Sequence, residues 1–167
     1  TGASGVGKSY LAHALGYQAC LMGFKTHYFI ASRLFNQLKL AKVDGTYQKE
    51  LNKLLKNDLL ILDDFGLKAF DNHAREALMD IIEDRYNSKS TIVSSQIPVS
   101  AWYDTIGEGT IADAILDRLV NSSHRVLKAV QNYVFLVNIF SIVPGIHPGC
   151  SISCVRCFCA SARCNYH

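Results

Sequence analysis

An α/β fold built on a parallel sheet is what the sequence predicts, and three stretches carry the prediction. They are the glycine-rich opening "GASGVGKS", the unbroken apolar run "LLIL" that ends in two aspartates, and a steady alternation of helix-like and strand-like segments around them. Gly2, four residues, then Gly7-Lys8-Ser9 fits the phosphate-binding template G-x-x-x-x-G-K-[ST]. Glycines let successive backbone N–H groups converge on phosphate oxygens, Lys8 supplies a mobile positive charge, and the Ser9 hydroxyl can ligate Mg²⁺. Such a loop is normally entered from a strand. Nothing precedes Thr1, so the expectation is a P-loop three-layer sandwich whose first strand is missing from the chain.

The elements follow in order. "SYLAHALGYQAC" has the composition of a helix whose N-terminal dipole faces the phosphates, and Gly23 can end it. "THYFI" reads as a strand, Ser32 can cap a helix running to Leu40, and "DGT" breaks the chain before a second helix from Tyr47 to Lys56. Leu59 to Leu62 form a strand buried on both faces. A helix from about Asn72 to Asn87, capped by Asp71, shows Leu78, Ile81, Ile82 and Tyr86 at helical spacing. "STIVSS" is the next strand, stopped by Pro98; Ser100 can start a short helix, and Thr110 to Asn121 form a longer one.

The chemistry concentrates after the buried strand. Asp63 and Asp64 sit at its C-terminal end, where open α/β sheets place their ligands. One carboxylate there can hold the Mg²⁺ of a bound nucleotide, and the next can polarise an attacking water. A chain of 167 residues, 49% of them hydrophobic, can bury one sizeable core. Its net charge of +3 names no partner. Between Arg33 and Lys56, however, Arg33, Lys39, Lys42, Lys49, Lys53 and Lys56 face only Asp44 and Glu50. That segment is either a solvated helical face or a nucleic-acid footprint.

From the P-loop to "NSSHRV" the sequence resembles the IstB-type helper ATPases of insertion sequences. The resemblance rests on "TGASGVGKSYLAHALG", "DGTYQKELNKLLKNDLLILDDFGL", "DIIEDRYNSKSTIVSSQIPVSAWYD" and "ADAILDRLVNSSHRV". That family is similar to the DnaC-type helicase loaders and, more distantly, to the initiator DnaA. The resemblance implies an AAA+ ATPase of the ASCE type, with ATP and Mg²⁺ as cofactors. It further implies a homo-oligomer on double-stranded DNA serving a transposase in the bacterial cytoplasm. By position, Gly2, Ser4, Gly5, Val6, Gly7, Lys8, Ser9 and Tyr10 would surround the phosphates, and Ser9 with Asp63 would position Mg²⁺. Asp64 falls where many relatives carry Glu and would orient the hydrolytic water. Gln96 matches the polar sensor position, and Arg118 matches the arginine finger lent to a neighbouring subunit. Arg33, Lys39, Lys42, Lys49 and Lys53 lie where initiator-type relatives present helices to DNA.

Rival readings separate on specific features. A helicase loader shares nearly every motif. A small-molecule kinase needs an arginine-rich lid, and residues 86 to 117 contain no arginine. A truncated remnant unable to hold ATP is the non-enzymatic alternative.

The C-terminal stretch differs in kind, which sets an expected core of residues 1–128 and an atypical tail of 129–167. Every acidic residue lies at or before Asp117, while Cys150, Cys154, Cys157, Cys159 and Cys164 crowd together near the end. "YVFLVNIFSIV" is apolar but too short to span a membrane. A zinc site would want a second well-spaced pair beside Cys154 and Cys157, and disulfides do not suit a cytosolic ATPase. The abrupt change fits a shifted reading frame or a disrupted mobile element, on which reading the apolar stretch should lack a partner in the sheet; a divergent extra strand and a metal-binding appendage are the alternatives.

Overall fold

A computed structural model of the protein describes residues 7–121, 123–128 and 133–138. Gly2, Ser4, Gly5, Val6 and the cysteine-rich end lie outside the described residues. The elements run α1 (Lys8–Leu21), β1 (Thr26–Ile30), α2 (Ala31–Val43), α3 (Tyr47–Leu55), β2 (Leu59–Phe65), α4 (Asn72–Arg85) and β3 (Ser90–Ser95). A 3-10 turn (Val99–Ala101) leads to α5 (Trp102–Ile106), α6 (Gly109–Val120), β4 (His124–Lys128) and β5 (Tyr133–Asn138).

The sheet order is β1-β2-β3-β5-β4. β1, β2 and β3 are parallel, with Tyr28 opposite Ile61 and Leu62 opposite Val93. β2 is the central buried strand that its apolar run predicts. Leu59, Leu60, Ile61 and Leu62 are all at most 1% exposed because helices cover both faces. Leu59, Ile61 and Ile92 pack against Ala12 and Ala19 of α1. Leu60, Leu62 and Val93 point the other way, into Leu34 and Leu38 of α2, Leu78 and Ile81 of α4, and Ile115 of α6. The period-two alternation of strand side chains thus divides the core into two, giving three layers.

Helix ends depart from the sequence expectations for local reasons. α2 follows β1 without a loop; Ile30 is its N-cap and makes no side-chain capping bond, so Ser32 lies within the first turn and caps nothing. α2 also continues past Leu40 to Val43. α4 stops at Arg85 because Tyr86 turns extended and Asn87 takes a left-handed φ of 56°. Its expected cap is present: the Ala74 N–H donates to Asp71 Oδ1 at 2.8 Å.

The far side of the sheet holds the main surprise. β5, formed from the apolar stretch beyond residue 128, lies antiparallel between β3 and β4, with Val93 opposite Leu136 and Val126 opposite Phe135. That stretch therefore has strand partners, as the extra-strand alternative expects and against the reading that leaves it without one. Its backbone groups are satisfied by pairing with β3, whose other edge is taken by β2. Among the described residues no helix is long and apolar enough to cross a membrane.

Candidate functional site

The N-terminus of α1 is brought to the end of β2 by two glycines. Gly7 caps α1 at φ 84°, a left-handed conformation that glycine adopts without steric cost, and its carbonyl accepts from the Leu11 N–H at 3.0 Å. Further along, a Cβ on Gly16 would lie 2.8 Å from Ile61 Cδ1, so the helix approaches the strand more closely than any side chain allows. The close approach sets the first turn of α1, with Ser9, beside Asp63.

Asp63 is buried, at 2% exposure, yet it is well supplied with donors. The Tyr28 hydroxyl donates to Oδ2 at 2.6 Å and the Asp64 N–H to Oδ1 at 2.9 Å. Burial alone would push its carboxyl up. Hydrogen bonds from Tyr28 and the Asp64 backbone, with the nearby Ser9 and Ser94 hydroxyls, outweigh burial and hold it below the usual carboxylate range. Ser94 acts as a neighbouring dipole, because its buried Oγ meets no partner at hydrogen-bonding geometry. Tyr28 moves the opposite way: burial, the bond to Asp63 and the charges of Asp63 and Asp64 raise its hydroxyl far above its ordinary value. It is therefore a hydrogen-bond donor at any physiological pH.

A bulge then re-aims the chain. Leu62 pairs with Val93 and Phe65 with Ser95, so Asp63 and Asp64 together oppose the single residue Ser94. Asp64 takes up the extra residue with φ 54°. Its carboxylate Oδ1 accepts from Gln96 Nε2 at 2.8 Å, so the two sequence-predicted residues are brought into contact. Ser95 holds both strand ends in this arrangement, donating to the Phe65 carbonyl at 2.6 Å and accepting from the Ile97 N–H and Trp102 Nε1. Asp64 also borders a cleft of about 170 Å³ lined by Ser32, Asn36, Lys39 and Gly66 among others.

The remaining candidates lie elsewhere. Tyr10 is 70% exposed on the outer side of α1. Arg118, on α6, reaches Glu83 of α4 at 3.5 Å, the Ala114 carbonyl at 3.1 Å and the Tyr86 ring. Of the basic residues, Lys39 pairs with Asp71 at 2.8 Å, Lys42 with Glu76 at 2.6 Å and Lys53 with Glu50 at 2.5 Å. The first two pairs tie α2 to α4. Arg33 and Lys49 are exposed. Sequence reasoning missed Tyr28, His13 and Ser94, and only the β1–β2 register, which no local pattern encodes, could have found Tyr28.

Asp63 and Ser9 offer a carboxylate and a hydroxyl side by side, hard oxygen donors of the kind Mg²⁺ takes. Among the described residues no three His, Cys, Asp or Glu side chains cluster as a metal cage. A cation held here would draw its other ligands from substrate phosphates and water, the usual arrangement for Mg²⁺ with a nucleotide. The residues therefore fit the magnesium–nucleotide pair.

Comparison with known proteins agrees with this geometry. Residues 1–134 match the family described as IstB-like ATP binding protein. An insertion sequence ATP-binding protein of Sinorhizobium fredii, so described, is 52% identical over 125 residues, covering 75% of this chain and 51% of the relative. A counterpart described for insertion sequence IS1162 of Pseudomonas fluorescens is 48% identical over 100 residues, covering 60% of this chain and 43% of its own length. The chain thus spans about half the length of the curated relatives it matches. Among solved structures, the DnaC helicase loader superposes with a TM-score of 0.58 at 28% identity, over 70% of this chain and 71% of that one. AMPPCP-bound DnaA from Aquifex aeolicus shares the fold, with a TM-score of 0.61 at 23% identity, over 68% and 36% of the two chains. With its P-loop helix set beside Asp63 and a family match across most of its length, the chain belongs to the IstB-like ATP-binding proteins, on an AAA+ P-loop fold.

Proposed function

We propose that the protein binds ATP with Mg²⁺ and hydrolyses it, acting as an oligomeric helper on double-stranded DNA for a transposase. The observation that carries the reading is the hydrogen bond from Gln96 to Asp64 at the end of the sheet where the Ser9 hydroxyl lies beside the buried Asp63 carboxylate. Ser9 and Asp63 make a place for the cation and phosphates. Asp64 is an oriented carboxylate at the adjoining position. Relatives described as insertion-sequence proteins support the helper role over a helicase loader.

The roles divide by residue. Gly5, Val6 and Gly7 present backbone N–H groups to the phosphates, Lys8 adds its ammonium, and Ser9 and Asp63 hold the cation. Mg²⁺, when bound, neutralises charge on the phosphate oxygens. Asp64 accepts a hydrogen bond from the attacking water and orients it, and Gln96 fixes the Asp64 carboxylate. The reaction is phosphoryl transfer to water, in which the protein positions groups and balances charge. Arg118 serves a neighbouring subunit's nucleotide, and to do so it exchanges Glu83 for a phosphate. On DNA, Arg33 and Lys49 make the first phosphate contacts, because Lys39, Lys42 and Lys53 already have carboxylate partners.

The test is complementation between defective subunits. Lys8→Ala and Arg118→Ala proteins are each expected to be inactive alone and to regain ATPase activity when mixed, since one interface in the mixed oligomer joins an intact P-loop to an intact finger. No recovery in demonstrated mixed oligomers would remove Arg118 from the mechanism. Wild-type turnover by Lys8→Ala would remove the site itself.

A further inference from the structure

Resting on the reading of Ser9 and Asp63 as the cation site, we propose that Tyr28 is a positioning residue for the Asp63 carboxylate, braced by His13 against the first turn of α1. Nothing in the P-loop template or the two aspartates requires a tyrosine on the neighbouring strand.

The argument begins with register. Ile30 lies opposite Asp63 and Tyr28 opposite Ile61, so Tyr28 shares the α1-facing side of the sheet with Ile61 and Asp63. From one position down the ladder its hydroxyl reaches diagonally to Asp63 Oδ2 at 2.6 Å. Its ring meets the His13 ring at 4.1 Å between centroids, tilted by 35°. His13 Nδ1 in turn donates to the Ser9 carbonyl at 2.6 Å. The contacts run in line from the Ser9 carbonyl through His13 and Tyr28 to Asp63, and the Ser9 hydroxyl, lying beside that carboxylate, completes the circuit.

The circuit has two routes between α1 and Asp63, and they respond differently to a cation. The direct route uses the Ser9 hydroxyl, which a cation would claim as a ligand. The route through Tyr28 and His13 ends on Asp63 Oδ2, an oxygen with a further lone pair, and it uses no donor group that the cation would take as a ligand. It therefore persists when the Ser9 hydroxyl turns to a cation, and it is what keeps the buried carboxylate aimed at the site. Residues that orient a metal's ligands in this way commonly matter to affinity nearly as much as the ligands do.

Tyr28→Phe removes one oxygen and leaves the ring. In the full chain with ATP, Mn²⁺ binding followed by electron paramagnetic resonance is expected to weaken by about tenfold. ATP binding in EDTA should stay within about twofold of wild type, because the phosphates do not touch Tyr28. His13→Ala keeps the hydroxyl and removes the brace; it should weaken Mn²⁺ binding in the same sense and by less, and it carries the test if Tyr28→Phe does not fold. Unchanged Mn²⁺ affinity in these variants beside a binding-competent wild type would overturn the positioning role alone. Equal losses with and without metal would assign Tyr28 to packing and overturn it as well. Absence of Mn²⁺ binding by wild-type protein with ATP would overturn the site reading and this inference together.

Discussion

The two ends of the parallel strands both bury polar groups, and they treat them in opposite ways. At the end where β2 and β3 begin, Arg85 is 2% exposed and fully paired. Its guanidinium donates to the carbonyls of Leu54, Asn57, Asp58 and Ser90 and to Thr91 Oγ1. Burial pulls its pKa down to about 10, partly offset by Asp58, so it stays charged at neutral pH. At the end where the strands finish, the pairing is incomplete. Ser94 Oγ is buried without a partner, Asp64 holds a left-handed backbone, and the buried carboxylate of Asp63 depends on hydroxyl donors that can turn elsewhere. The first end has one arrangement and joins α4 to two strands. The second retains polar capacity and backbone strain, features that persist at functional sites when the surrounding structure enforces them.

The largest effect that would break this comparison is at Arg85. Arg85→Met should cost about 3–5 kcal/mol in urea unfolding, because removing the cation strands several buried carbonyls at once. A loss below about 1 kcal/mol, the worth of one ordinary hydrogen bond, would mean that the clamp is ornamental. A smaller effect of opposite sign is expected across the sheet. Asp64→Gly releases the left-handed strain and should leave stability unchanged or raise it by up to about 1 kcal/mol, while ATP turnover is lost. Clear destabilisation by this change would place Asp64 among the residues that hold the fold.

Asp71 sharpens the contrast from a third position, since it caps α4 and pairs with Lys39 on the surface. Asp71→Ala should cost about 1 kcal/mol, chiefly through the cap. The Lys39 bond and the Ala74 N–H hold the Asp71 carboxyl below its usual range. Its contribution is thus present above the unfolded-state value of about 4 and disappears as pH falls through the lower folded value. Urea midpoints measured from neutral pH down to about pH 3 should therefore converge for wild type and Asp71→Ala at the acid end.

What the sequence made legible was whatever local pattern encodes. The P-loop needs glycine at fixed positions, β2 needs an unbroken apolar run, and the helix after Asp71 needs its cap; all three were readable. What escaped depends on which strand lies beside which. Tyr28 becomes part of the site only through its register with Ile61, and Arg85 becomes a clamp only when α3, β2 and β3 converge on it. The bulge at Asp63 and Asp64 is invisible until Ser94 is known to lie opposite both. β5 was misjudged for the same reason, because an apolar stretch shows no partner until the free edge of β3 is known.

The central claim, that the end of β2 is a hydrolytic site, is tested most directly by Asp64→Asn, which keeps the residue's size and its tolerance of the left-handed backbone. The account predicts that ATP affinity stays within about threefold of wild type while single-turnover hydrolysis slows by about a hundredfold or more, as for loss of a carboxylate that orients the water. Equal hydrolysis rates for Asp64→Asn and wild type would contradict it.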